Sequence, residues 1–176
     1  MSEPFLVMLD RDGTINVDKH YLADPARLDL LPGSVEGLIK LREGGAVLCI
    51  VTNQSGIGRG YFDRATADRL NHALEEMLKP HGINFAHVAL CPHAPDEACD
   101  CRKPQPGMAL ECAQATGLPL ANSWVIGDKA SDVGLAINTG GRGILISDET
   151  DKQAGQAFTA PSLSEAADYI LQARAK

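Results

Sequence analysis

The chain has 176 residues, 44% apolar and 22% charged, with a formal net charge of −7. This length and balance fit one globular domain over residues 1–176, with a core large enough to need no disulfide staples. The acidic balance excludes a general nucleic-acid surface, which needs a basic face, although a few local cations still suffice to receive an anionic small molecule.

The opening stretch MSEPFLVMLDRDG has a single apolar run, Phe5 to Leu9, too short for a signal-peptide core or a membrane span. The expected location is a reducing cytoplasm with no membrane partner, where clustered cysteines point to metal or catalysis before disulfides. FLVMLD predicts a buried strand. A linker through Pro25 leads to Ser34 as the N-cap of a helix, whose stripe of Val35, Leu38 and Ile39 stops at Gly44-Gly45. AVLCIVTN predicts a second strand. A helix after Asp63 follows, with Leu70, Leu74, Met77 and Leu78 on one face, ended by Pro80 and Gly82. Then come a strand (FAHVALC), a helix (GMALECAQATG), a strand (SWVIGD), a helix (ASDVGLAINTG) and a strand (GILIS). A last helix follows Ser162 and Glu165, a capping box.

Strands that are apolar throughout, alternating with helices, imply an α/β fold with a doubly wound parallel sheet. In such sheets ligands bind beyond the carboxyl ends of the strands, where the strand order switches. The residues that matter are therefore those that close each strand: Asp10, Thr52-Asn53, Cys91 and Asp128.

Asp10 and Asp12 stand two apart on extended chain, so both carboxylates face one side; they suit a nucleophile plus a general acid/base, or a metal. A surface Asp-Gly turn accounts for that stretch equally well. Asp128 and Asp132 form a second acidic pair, with an N-cap as the alternative role for Asp128. Thr52 opens the glycine-rich stretch TNQSGIGRG, whose hydroxyl and free N–H groups can cradle phosphate oxygens. Lys103 is either a solvated lysine or the cation that balances an anionic transition state.

Three of the five cysteines crowd into CPHAPDEACDCRKPQPG. Cys91-x-His93 and Cys99-x-Cys101 are two short pairs, and Cys₃His is a tetrahedral zinc set, so a zinc loop over 91–101 is expected in preference to disulfides. Cys49 and Cys112 fall on apolar patterns as core fillers. His72, His81 and His87 have no partner pattern.

The ordered set Asp10-Arg11-Asp12-Gly13-Thr14, Thr52, Lys103 and Gly127-Asp128 through Asp132 resembles the four motifs of the haloacid dehalogenase (HAD) superfamily of phosphatases over nearly the whole chain. The resemblance implies a Rossmann-like HAD fold in which Asp10 attacks phosphorus and Asp12 serves as acid and then base. Thr52 and Lys103 would hold the phosphoryl group. It further implies Mg²⁺ held by Asp10, the carbonyl of Asp12 and Asp128, with zinc closing a loop in place of a cap domain. RDGTINVDKHYL, TNQSGIGRGYF and RKPQPGM look like the branch acting on heptose bisphosphates; the histidinol-phosphatase branch is the alternative. The resemblance to that branch implies a phosphorylated sugar contacted by Asp18, Lys19, His20, Tyr21, Thr52, Asn53, Gln54, Ser55, Arg102, Lys103 and Lys129. Arg102 would take the phosphate that is not removed. A monomer is expected. A binding protein on an inactive phosphatase fold is the reading of a different class, against which Asp10, Asp12, Lys103 and Asp128 stand together.

Overall fold

The computed structural model describes residues 3–176. Six strands form one sheet in the order β3-β2-β1-β4-β5-β6, and every neighbouring pair is parallel. They are β1 (Phe5–Leu9), β2 (Ala46–Asn53), β3 (His87–Cys91), β4 (Trp124–Gly127), β5 (Arg142–Ile146) and β6 (Phe158–Ala160). The helices are α1 (Ser34–Glu43), α2 (Ser55–Gly58), α3 (Arg64–Leu78), α4 (Gly107–Thr116), α5 (Ala130–Asn138) and α6 (Leu163–Arg174).

Alternation along β1 assigns the two cores. Phe5, Val7 and Leu9 pack with the buried faces of α1, α3 and α6. Leu6 and Met8 point the other way, toward Met108, Ala109 and Cys112 of α4 and Leu135 and Ala136 of α5. A side chain of this size stabilises the fold by about 1.5–3 kcal/mol when fully buried, which is why these strands carry almost no polar residues. Gly37 lets α1 meet α6 closely: a Cβ there would lie 2.5 Å from the Leu163 backbone.

The chain winds outward from β1 through β2 to β3, then returns to β4 on β1's other side. The switch in strand order therefore lies between β1 and β4, and Asp10 and Asp128 follow those two strands directly. Between β3 and α4, residues 92–106 form neither helix nor strand, so nothing the size of a cap domain is inserted there. Among the described residues, no helix is long and apolar enough to cross a membrane.

Several local expectations need correcting. Gly33, not Ser34, is the N-cap of α1; Ser34 is buried and its hydroxyl donates to the Ile15 carbonyl (2.7 Å). Met77 is 39% exposed, off the face made by Leu70, Leu74 and Leu78. Lys129, not Asp128, occupies the N-cap position of α5, and its N–H donates to Asp132 Oδ2 (3.1 Å). Asp63 caps α3, and Ser162 caps α6 by accepting from the Ser164 N–H, but Glu165 accepts from the Ser162 hydroxyl and not from its N–H, so the box is not closed. The short elements α2 and β6 are additional.

Candidate active site

Asp10 leaves β1 with its N–H bonded to the Ile126 carbonyl of β4 (2.9 Å), which pins it at the switch. Lys103 arrives from the loop before α4, its backbone N–H donating to Asn53 Oδ1 (3.1 Å). Its ammonium is buried and donates to Asp10 Oδ1 (2.9 Å), Asp132 Oδ1 (2.6 Å) and the Val51 carbonyl (2.8 Å). All three protons are thus used. Burial works against the charge, but Asp10 and Asp132 outweigh it and hold Lys103 above its ordinary pKa.

Carboxylate oxygens of Asp10, Asp128 and Asp132 all lie within 4.8 Å of one another. Burial, then the Asp10 charge, pushes Asp128 up to about 7 against the pull of Lys129. The same two causes push Asp132 up to about 6 despite Lys103. Asp128 Oδ1 is buried without a hydrogen-bond partner. Gly13, at φ +85°, permits this crowding, since a Cβ there would lie 2.3 Å from Asp128 Oδ2. An unpaired buried oxygen among carboxylates that repel one another fits a hard divalent cation such as Mg²⁺. Asp132 is differently placed: its oxygens already accept from Lys103 and the Lys129 N–H (3.1 Å). It orients Lys103, while Asp10 and Asp128 remain to face a cation.

The Asp12 side chain lies outside this cluster and 20% exposed. Arg11 donates to it through Nη2 (2.9 Å) and Nε (3.4 Å). Asn16 Nδ2 donates to Oδ1 (2.9 Å) and Gln54 Nε2 to Oδ2 (3.1 Å). Burial alone would raise the Asp12 pKa, but Arg11 and these amides bring it below the ordinary value. Arg11, Asn16 and Asp132's hold on Lys103 escaped the sequence reading.

Two adjoining hollows open above these groups, of about 190 and 180 Å³. The inner one is lined by Asp10, Arg102, Lys103 and Ser131, the outer by Asp18, His20, Tyr21, Gln54 and Gly56; Asp12, Asn53, Ser55 and Lys129 line both. Two of the expected substrate contacts, Lys19 and Thr52, line neither hollow. Lys19 pairs with Asp29 and donates to the Arg27 carbonyl. Thr52 is 1% exposed, beneath the floor, and its hydroxyl accepts from Gln54 Nε2 (2.8 Å). His20 and Tyr21 are held at φ 49° and 54°, and Asp18 Oδ1 accepts from the His20 N–H (3.0 Å).

The fourth group is the cysteine loop. Sγ of Cys91, Cys99 and Cys101 and Nδ1 of His93 lie within 4.8 Å of one another. A tetrahedron with Zn–S bonds of about 2.3 Å has S···S edges of about 3.8 Å. Cys91 to Cys99 is 3.9 Å, and His93 Nδ1 is 3.5 and 3.3 Å from Cys91 and Cys101. Cys91 to Cys101, at 2.9 Å, is tighter. The Arg102 N–H donates to Cys99 Sγ (3.4 Å) and its guanidinium to the His93 carbonyl (3.3 Å), which ties Arg102 to this loop. Cys49 and Cys112 are buried fillers between β2 and α4.

A carboxylate braced by a buried lysine, beside a second carboxylate at the switch of a parallel sheet, is the arrangement expected of a HAD-type hydrolase. The HAD-hydrolase-like family model matches residues 100–172. The D-glycero-beta-D-manno-heptose-1,7-bisphosphate 7-phosphatase of Pseudomonas putida is 38% identical over 80% of this chain and 81% of its own. Its namesake from Escherichia coli is 33% identical over 96% and 89%. The crystal structure of the B. bronchiseptica D,D-heptose 1,7-bisphosphate phosphatase, complexed with magnesium and phosphate, superposes with a TM-score of 0.85. It is 30% identical, and the match covers 96% of this chain and 99% of that one. The chain belongs to the D-glycero-beta-D-manno-heptose-1,7-bisphosphate 7-phosphatase family of HAD phosphatases.

Proposed function

We propose that the chain hydrolyses the C7 phosphate of D-glycero-D-manno-heptose 1,7-bisphosphate, a step in making the nucleotide-activated heptose of lipopolysaccharide. The observation that carries the chemistry is Asp10, fixed by Lys103 at the β1/β4 switch, with Asp128 beside it and Asp12 lining the same hollow. The relatives named above carry the substrate.

In this reading an Asp10 oxygen attacks phosphorus, and the bond to the sugar oxygen breaks as Asp12 supplies that oxygen with a proton. Asp12 then removes a proton from water, which attacks the phosphorus of the aspartyl phosphate and restores Asp10. Arg11 and two amides keep the resting Asp12 ionised, ready for the second step. For the first it takes a proton as phosphate charge closes on it, since a nearby anion favours the neutral carboxyl. Lys103 offsets negative charge on the transferring group. Asp10, Asp128 and the Asp12 carbonyl would hold Mg²⁺, which would supply Lewis-acid neutralisation of the phosphoryl oxygens. Asp18, His20, Tyr21, Asn53, Gln54, Ser55 and Lys129 receive the sugar.

Arg102 takes the phosphate that stays. Its planar fork suits a phosphate bidentately, and its neighbour Lys103 is fully committed. A substrate panel tests both points: the heptose bisphosphate anomers, a heptose 7-phosphate, fructose 1,6-bisphosphate and histidinol phosphate. Arg102→Ala is expected to lower kcat/KM on the bisphosphate by ~10-fold or more, and much less on the monophosphate. Preference of the unaltered enzyme for histidinol phosphate would overturn the substrate. Equal losses by Arg102→Ala on both heptose substrates would overturn the role of Arg102.

Cys91, His93, Cys99 and Cys101 would hold a zinc ion, which would close the 91–101 loop to which Arg102 is tied. Structural zinc binds zinc-finger peptides by about 10–16 kcal/mol, so the ion is expected to stay through purification and to be lost from Cys99→Ser. Elemental analysis that finds no zinc in protein prepared without chelators refutes the assignment.

A further inference from the structure

α3 carries one polar residue where its apolar face should continue. Ala67, Leu70, Leu74 and Leu78 are buried against the sheet, and Asn71 is buried among them at 5% exposure. A buried amide in such a stripe costs stability unless it is hydrogen-bonded. Its partner is 60 residues away: Asn71 Oδ1 accepts from Arg11 Nη1 (2.7 Å). Arg11 is itself fully buried, at 0% exposure, and spends Nη2 and Nε on the two oxygens of Asp12.

The guanidinium is planar and rigid, so fixing one edge fixes the other. Asn71 holds one nitrogen, and the opposite edge then sets the plane of the Asp12 carboxylate. The Arg11 backbone is equally constrained, because its carbonyl accepts from the N–H groups of Thr14 (3.2 Å) and Ile15 (2.9 Å). Of the Asn71, Arg11 and Asp12 side chains, only that of Asp12 reaches the hollows, and it lines both.

We propose that Asn71, acting through Arg11, is a positioning residue that aims the Asp12 carboxyl at the oxygen leaving the sugar. This rests on the reading of Asp12 as the acid in the first step. A general acid matters in proportion to how poor the leaving group is: a sugar alkoxide needs its proton, whereas a dinitrophenolate leaves without one. kcat/KM reports events up to transfer onto Asp10, so the comparison isolates the acid step.

The experiment measures kcat/KM of the Mg²⁺-loaded enzyme on the heptose bisphosphate and on 2,4-dinitrophenyl phosphate. Asn71→Leu, close in volume, is expected to lose ~10-fold on the sugar substrate and less than about threefold on the aryl ester, with the loss in kcat rather than KM. Asn71→Asp keeps an acceptor for Arg11 and is expected to lose less than Asn71→Leu, although a carboxylate suits the apolar stripe worse. A packing role predicts the opposite order. If Asn71→Leu does not fold, Arg11→Lys, which cannot reach Asn71 and both Asp12 oxygens at once, is expected to show the same split between substrates. Equal losses on both substrates, or wild-type turnover of the sugar by Asn71→Leu, overturn the proposal. Asp12→Asn separates the two levels. If it shows the leaving-group split and the Asn71 and Arg11 variants do not, the positioning role alone falls. If it shows no split, the acid reading falls with it.

Discussion

Asp10→Asn is expected to abolish measurable turnover, a loss on the order of 10⁴-fold or more, while the protein stays folded. An amide oxygen is too weak a nucleophile to attack phosphorus, and no other carboxylate occupies its place. Asp132 is held by Lys103 and the Lys129 N–H, and Asp12, outside the acidic cluster, is held by Arg11, Asn16 and Gln54. The stability outcome follows from the same geometry. Burial and the Asp10 charge raise Asp128 to about 7 and Asp132 to about 6. A carboxyl whose folded pKa is raised stabilises the fold fully only below its unfolded value near 4, and that contribution is lost as pH rises through about 6 to 7. Replacing the carboxylate with a neutral amide removes part of that repulsion where it is largest, and the amide oxygen can still accept from Lys103. The metal-free variant is therefore expected to melt no lower than the wild type at pH 8. Turnover within tenfold of wild type removes Asp10 from the nucleophile's role, and a melting temperature several degrees lower at pH 8 contradicts the repulsion.

The strand ends were legible in the sequence because parallel β/α winding brings the carboxyl ends of all strands to one edge, whatever their distance along the chain. Asp10, Asn53 and Asp128 follow from that rule, whereas Lys103 lies in the loop between β3 and α4 and stands out only through the order of the motifs. What stayed hidden depended on side-chain direction. Lys19 lies in the stretch that shapes the outer hollow, yet Asp29 and the Arg27 carbonyl turn it away. Thr52 sits at the end of β2, but the pleat puts it under the floor and exposes Asn53 instead. Arg11 sits between two acids, and nothing in the sequence pairs it with Asn71. Asn71 in turn interrupts the buried face of α3 with no local mark of its partner. Strand β6 is three residues long and follows a polar loop, so it carries too little pattern to be seen without its pairing to β5.

Lys103→Met is expected to damage activity and stability together, because one ammonium serves both. The straight thioether chain fills much of the same space, so the change is chiefly the loss of charge and of three hydrogen bonds, to Asp10, Asp132 and the Val51 carbonyl. Breaking a buried pair by removing one partner costs about 3–5 kcal/mol, since the remaining charge is left uncompensated. Here two carboxylates are left, with Asp128 close to both. Proton uptake can repair part of this. Asp132 reaches about 6 even with Lys103 present, and it moves higher without it, so the variant binds protons in its folded state well above the unfolded pKa. The deficit is therefore expected to be largest near pH 8 and smaller near pH 5.5, as read by chemical denaturation without metal. Acidification cannot repair turnover, because it protonates the carboxylates that must stay ionised. Loss of the cation facing the transferring phosphoryl group is expected to cost ~10²–10³-fold in kcat. A stability loss of the same size at both pH values would mean that Lys103 fills space rather than compensating charge. Turnover within tenfold of wild type would remove it from the phosphoryl site.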